Sequence, residues 1–343
     1  MAGPQAKLTH HPQWADYALL QAYRPLAGFV ARPDHRSPAL NTDALGMRES
    51  YDAEGRHVDL FEARAAFPRC RVLLGGSAAF GVGATSDRTT IAARLGGPGE
   101  PCLNLGVRAT TSRGELAVYL ALKHLLPPPA RVFLFSGAND VLLAATDSAS
   151  VFPAYGAAFS HEIRGLARAG ADQSGWDRMG ARLQVPAAAS VLAARARRRL
   201  ARRSGPPSSV RAFPERLEVM LHLLADTLET WSWLRAAQGF ELTFVLQPAL
   251  PWCPRSPTPV ERECYEADVE AIPALVHLAD LEVYERLRAE LARACDRLEI
   301  TFLDANPWMA SSDETLFVDT LHLTDAAYAL VATRMLEGSP TPG

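Results

Sequence analysis

Cysteine is scarce and scattered in this 343-residue chain. The five cysteines, Cys70, Cys102, Cys253, Cys264 and Cys295, contain no C-x-x-C pair, so neither a disulfide framework nor a zinc site is expected. Lysine is scarcer still, with only Lys7 and Lys123. The other cations are arginines, which with the abundant alanine reflects a GC-rich genome and carries no mechanistic meaning. A basic excess is also lacking. The 35 Lys and Arg against 38 Asp and Glu leave a formal net charge of −3, which excludes a general nucleic-acid binder. No run of about 18 apolar residues occurs, so no membrane span is expected. The start, Met1 to Trp14, is polar and lacks the apolar stretch of a signal peptide, which predicts a cytoplasmic protein. No internal repeat is visible. With 48% hydrophobic and 21% charged residues, the composition is that of an ordinary globular protein.

Short apolar runs alternate with helical spacing. The runs 71–77, 101–106, 131–137, 240–248 and 299–304 are mostly apolar on consecutive residues, as strands buried on both faces should be. Helices are expected over 89–95, behind Ser86 or Asp87 as N-cap, and over 112–126, stopped by Pro127-Pro-Pro129. Others are expected over 214–238, ending at Gly239, over 283–298, and from Thr324 to about Leu336. Strands alternating with helices predict βαβ units and a parallel sheet with helices on both faces. The expected fold is therefore a three-layer α/β/α, flavodoxin-like arrangement with a five-stranded parallel sheet. Residues 1–68 read as an N-terminal extension packed on the core. Residues 69–343 read as the main domain, with a helical insertion at 141–213. That insertion holds six arginines between Arg195 and Arg203. They read as a solvated helix face, a contact for an anionic ligand, or an interfacial membrane contact.

In open parallel sheets, functional groups collect beyond the carboxyl ends of the strands. Ser77 follows the first expected strand in Gly75-Gly-Ser-Ala-Ala-Phe-Gly81, Gly106 ends the second, and Gly137-Ala-Asn-Asp140 ends the third. Asp319-Thr-Leu-His322 follows the fifth. A nucleophile needs a base, and the base an orienting acid. The three-residue spacing lets Asp319 hold the His322 imidazole while His322 takes the Ser77 proton. The N–H groups of Ser77 and Gly106 and the Asn139 amide are the candidate donors to an oxyanion. Arg48, Arg197 and Arg198 are candidate contacts for an anionic substrate, and Arg48 alternatively ties the extension to the core. Asp140 is expected to support the Asn139 loop. Among the remaining histidines, His10, His11, His35, His57 and His161 are expected at the surface. His124, His222 and His277 are expected half-buried in helices, and no pair has metal-ligand spacing.

Gly75-Gly-Ser77, Gly106, Gly137-Ala-Asn139 and Asp319-Thr-Leu-His322 together resemble the four blocks of SGNH/GDSL hydrolases, in the family's order. The stretch 75–95 resembles a bacterial branch with Gly-Gly-Ser in the first block, and Asn41-Thr-Asp-Ala-Leu-Gly-Met-Arg48 resembles a segment that often precedes it there. Gly76 stands where the eponymous block has Asp. The resemblance implies ester, thioester or amide chemistry through an acyl-enzyme on Ser77, no cofactor and no metal. Its expected partner is a small-molecule or carrier-bound acyl substrate. An acyltransferase with the same triad and a non-catalytic binding protein are the alternatives. The acyl group and the oligomeric state are left open.

Overall fold

The computed structural model describes residues 3–18, 22–24, 28–145 and 212–338. The N-terminal part holds α1 (Gly3–His10), α2 (Trp14–Ala18), the antiparallel pair β1 (Ala22–Arg24) and β2 (Gly28–Val30), the antiparallel pair β3 (Ser50–Tyr51) and β4 (His57–Val58), and α3 (Leu60–Ala66). Then follow β5 (Cys70–Gly75), α4 (Ser77–Phe80), α5 (Ile91–Leu95), β6 (Cys102–Asn104), α6 (Ser112–Leu122), β7 (Pro129–Ser136) and α7 (Ala138–Ala145). Beyond residue 211 come α8 (Phe213–Gln238), β8 (Glu241–Leu246), α9 (Pro259–Ala271), α10 (Leu281–Arg297), β9 (Thr301–Asp304) and α11 (Asp325–Glu337).

Strands β5 to β9 form one parallel sheet in the order β6-β5-β7-β8-β9. This is the flavodoxin-like order, and the order in which successive strands are laid down reverses between β5 and β7. Two apolar layers lie on either side of the sheet. On one face Val72, Leu74, Val132, Leu134, Leu242 and Phe244 pack with residues of α6, α8 and α10, including Tyr119, Trp231 and Leu287. On the other, Leu73, Phe133, Phe135 and Val245 pack with Ile91, Leu95, Tyr328 and Val331 of α5 and α11. Consecutive apolar residues are needed because successive side chains point to opposite faces and both are covered. The result is a three-layer α/β/α fold, as expected.

All five expected strands are present, with bounds that differ from the expected ones by up to two residues at either end. Helix α6 stops at Leu122, ahead of the prolines, and α8 ends at Gly239 in the left-handed conformation. Thr90 caps α5 by accepting from the Ala93 N–H, while Ser86 caps only a 3-10 turn over Asp87–Thr89. Helix α9 was not foreseen. Thr258 and Glu261 form a capping box at its start, with Pro259 in the first turn, a start signal that is legible once the position is considered.

The five cysteines are free thiols, all buried. Among the described residues no helix is long and apolar enough to cross a membrane. Apart from its first five and last two residues, the insertion expected at 141–213 lies outside the described residues. So do His161 and the candidate contacts Arg197 and Arg198.

Candidate active site

Three strand ends and one loop meet at Ser77. The chain leaves β5 through Gly75-Gly76 and enters α4 at Ser77, with Gly76 as N-cap. No larger residue fits at 76, because a Cβ there would stand 2.2 Å from the Asn139 Nδ2. The Asn139 amide lies directly over the Gly76–Ser77 turn. Asn139 sits in the first turn of α7 and is buried. Its Nδ2 donates to Thr110 O (2.7 Å), which leaves a second amide N–H beside that turn.

The base and its acid come from the loop between β9 and α11. His322 Nε2 accepts from the Ser77 hydroxyl at 2.7 Å, and His322 Nδ1 donates to Asp319 Oδ2 at 2.6 Å. The three-residue spacing works through a turn in which Asp319 Oδ1 accepts the backbone N–H of Leu321 (2.9 Å) and of His322 (2.8 Å). Such side-chain-to-backbone turns are a habit of aspartate. Burial opposes the Asp319 charge. Even so, His322, Lys7 and these hydrogen bonds hold its carboxyl well below the usual range. An ionised Asp319 fixes the tautomer that leaves Nε2 as acceptor.

Helix α9 pins this loop. Glu261 accepts the N–H groups of Leu316 (2.7 Å) and Phe317 (3.1 Å), and Asp268 accepts the N–H (3.1 Å) and hydroxyl (3.0 Å) of Thr320. Asp268 also pairs with Lys7, whose Nζ lies 3.1 Å from Asp319 Oδ2. Lys7 is buried, and burial opposes its charge, but the two carboxylates raise its pKa above the ordinary lysine value. Trp14 of α2 places its ring 5.8 Å from the His322 ring, and Lys7 stands 4.4 Å from the Trp14 ring centroid. Lys7, Trp14 and Asp268 were not singled out from the sequence. A lone lysine on a short N-terminal helix carries no signal of its distant partners.

Two expectations are corrected. The Gly106 N–H donates to Asn104 Oδ1 (3.0 Å) and so is not free for an oxyanion. Glycine is required at 106 for another reason: a Cβ there would lie 2.3 Å from Phe80 N, so the loop packs directly on α4. Arg48 contacts no open surface. Its guanidinium is buried, pairs with Asp87 Oδ1 (2.7 Å), and donates to Gly81 O (2.6 Å), Ala39 O (2.6 Å) and the Tyr17 hydroxyl (3.0 Å). It ties the segment around residue 39 to the end of the nucleophile helix, the second role considered for it. Asp140 stands behind the Asn139 turn, where the Ser112 hydroxyl donates to it (2.8 Å). Burial pushes its carboxyl up to about 6. The nearby Glu115 accepts from the Ser136 hydroxyl (2.6 Å) and is pushed up by burial and by Asp140.

Of the histidines expected at the surface, His11 is buried, and its Nε2 has no hydrogen-bond partner among the described residues. Burial and the neighbouring His10 and Lys7 lower its pKa, so it is neutral. His35 is half-buried, and its Nε2 likewise has no partner among the described residues. His124 and His222, expected half-buried, are exposed: His222 falls on the outer side of α8, and His124 lies in the turn beyond the end of α6.

No family model matches this chain, and no curated relative does. The solved structures similar to it include esterases and lipases. A member of the lipolytic protein G-D-S-L family from Veillonella parvula is 12% identical, with 78% of this chain and 97% of that chain covered and a TM-score of 0.40. An extracellular lipase from Streptomyces rimosus is 12% identical, covering 79% of this chain and 100% of that chain, TM-score 0.40. Axe2, an acetylxylan esterase from Geobacillus stearothermophilus, is 12% identical, covering 80% and 95%, TM-score 0.39.

Proposed function

We propose that this chain is a serine hydrolase of the SGNH/GDSL type that cleaves an ester-type bond through an acyl-enzyme on Ser77. One observation carries the reading: the unbroken relay from Ser77 Oγ to His322 Nε2 (2.7 Å) and from His322 Nδ1 to Asp319 Oδ2 (2.6 Å), at the switch point of a parallel sheet. Its members come from positions 77, 319 and 322, and a purely structural hydroxyl has no need of such a base.

In the first half-reaction, Ser77 Oγ attacks the substrate carbonyl while its proton passes to His322 Nε2. The imidazolium so formed is stabilised by the ionised Asp319. The free Asn139 amide hydrogen and the Ser77 N–H are the donors to the tetrahedral oxyanion. Gly106 is not among them. When the tetrahedral intermediate collapses, His322 gives the proton to the leaving oxygen and the acyl group stays on Ser77. In the second half, His322 takes a proton from water as the water oxygen attacks the acyl carbonyl. The acid then leaves and Ser77 regains its proton.

The test is labelling with a serine-directed fluorophosphonate together with turnover of p-nitrophenyl esters of increasing chain length. Wild type is expected to label once, at Ser77, and to release p-nitrophenol. Ser77→Ala is expected to do neither. A Ser77→Ala protein that still turns over esters would overturn the reading.

A further inference from the structure

The loop that leaves β6 carries a cation for which the acyl-enzyme chemistry has no use. Arg108 follows Val107, whose N–H donates to Gly75 O (3.0 Å), and precedes Thr110, which receives the Asn139 amide. Ala109 between them takes a positive φ of 52°, which turns the loop back over the site. The backbone of Arg108 thus spans the turn that presents Ser77. Its side chain reaches Tyr17 O (2.7 Å) on α2, one helical turn from the Trp14 that lies against His322. Asp319 is one of the two groups whose charge acts on the guanidinium.

Unlike four other arginines with buried or half-buried side chains, Arg108 has no anion among the described residues. Arg48, Arg71, Arg131 and Arg255 each pair with a carboxylate: Asp87, Glu100, Glu241 and Glu261. Among the described residues Arg108 makes no ion pair, and its one hydrogen bond goes to a neutral carbonyl. It is half-buried, and burial pushes its pKa down to about 10. A guanidinium has five N–H donors in a planar fork that matches carboxylate or phosphate. Most of that fork makes no hydrogen bond among the described residues. The nearby Asp319 does not fill it, being already bound to His322 and Lys7.

We infer that Arg108 recognises an anionic group, a carboxylate or phosphate, carried by the substrate next to the scissile ester. The inference rests on the Ser77 hydrolase reading and specifies the substrate class for it. Its test compares three esters: p-nitrophenyl acetate, which is neutral; mono-p-nitrophenyl succinate, anionic on the acyl side; and 3-carboxy-4-nitrophenyl acetate, anionic on the leaving group. Arg108→Gln is expected to lower kcat/KM for at least one anionic ester by about 10- to 100-fold, the range of a charge-assisted hydrogen bond, mainly through KM. The neutral ester is expected to change by less than about threefold, which also shows that the variant folds. Arg108→Lys is expected to recover part of the loss, and the loss is expected to shrink as salt is raised. Whichever anionic ester responds identifies the side that carries the charge. Equal losses on all three esters would reduce Arg108 to a tether for α2, and no loss on any would also overturn the inference. Absence of Ser77-dependent turnover of every ester would instead defeat the hydrolase reading itself, and the inference with it.

Discussion

The carboxyl edge of the sheet and the N-terminal segment build two sides of one site by different physics. On the sheet edge each group is placed by local backbone. Ser77 stands at the start of a short helix, Asn139 in the first turn after β7, and His322 in a turn closed by the Asp319 carboxylate. The N-terminal segment contributes no reacting atom. It acts through buried charge: Lys7 on Asp319 and Asp268, and Arg48 on Asp87 and on the carbonyls that end α4. On the proposed reading the edge supplies the chemistry, and the segment supplies charge balance and a clamp. Perturbing the two sides should therefore give different signatures: lost turnover with an intact fold on one side, and lost stability or a displaced pH profile on the other.

The largest effect is expected on the edge. Ser77→Ala removes the covalent step of the proposed reaction and should lower kcat by about 10³-fold or more, with an unchanged thermal melt, since among the described residues the hydroxyl's hydrogen bond is to His322 alone. A comparable loss of melting temperature would make Ser77 a structural residue and erase the contrast.

Next comes the clamp. Arg48→Met leaves Asp87 without its cation, and breaking a buried pair in this way costs about 3–5 kcal/mol. The urea midpoint should fall accordingly. The activity per fluorophosphonate-reactive molecule should stay within about threefold of wild type, because no reacting atom is touched. Normal stability with lost activity would place Arg48 on the chemical side after all.

Asp140 sharpens the comparison on the edge itself, where a buried charge also exists. Its carboxyl, raised by burial to about 6, is charged in both folded and unfolded chains above that pH, and the folded state then bears the full burial penalty. As pH falls below about 6 the folded form takes up a proton while the unfolded form, with a pKa of about 4, stays charged. Its contribution to stability therefore rises with acidification between about pH 6 and 4. Asp140→Asn mimics the protonated form and keeps a partner for the Ser112 hydroxyl. At pH 8 it should be more stable than wild type by up to about 3 kcal/mol, at about 1.4 kcal/mol per unit, and the gap should close by pH 4. A gap that did not narrow would mean that the charge of Asp140 is not what the fold tolerates at a cost.

The division also explains what could be read in advance. The sheet was legible because strands covered on both faces need consecutive apolar residues, and Val132 to Phe135 show this plainly. The hydrogen-bonded set of Ser77, His322 and Asp319 was legible because glycines and a D-x-x-H spacing mark local turns at strand ends. Gly106 shows the limit of such marks. Its pattern signals a close backbone approach, and that approach exists, but the partner is Phe80 N and not an oxyanion. Lys7, Trp14 and Asp268 were illegible for a different reason. Lys7 and Asp319 are 312 positions apart, and ion pairing imposes no periodicity on either segment. Arg48 sat between the two cases. Its segment was visible, but whether the guanidinium faced solvent or Asp87 was decided by tertiary packing alone.

The smallest effect is the most diagnostic, and it concerns Lys7. Around His322 the charged groups are Asp319 and Lys7, with Asp268 and Arg108 behind them, and the neutral His11 close to Lys7. Lys7 offsets part of the negative charge that Asp319 presents to the imidazole. Without the ammonium, that charge acts on His322 unopposed and favours imidazolium, the form that cannot accept the Ser77 proton. Lys7→Met should therefore move the acid limb of the kcat/KM profile to higher pH. The loss of kcat/KM should shrink as pH is raised. Freed from Lys7, Asp268 lies near Asp319 with no cation between them. Pairing the change with Asp268→Asn removes that repulsion and should restore stability while leaving the displaced limb in place. A uniform loss at every pH would mean that Lys7 only holds α1 in position. A limb displaced toward lower pH would mean that Asp319 does not carry the charge through which the N-terminal segment reaches the base.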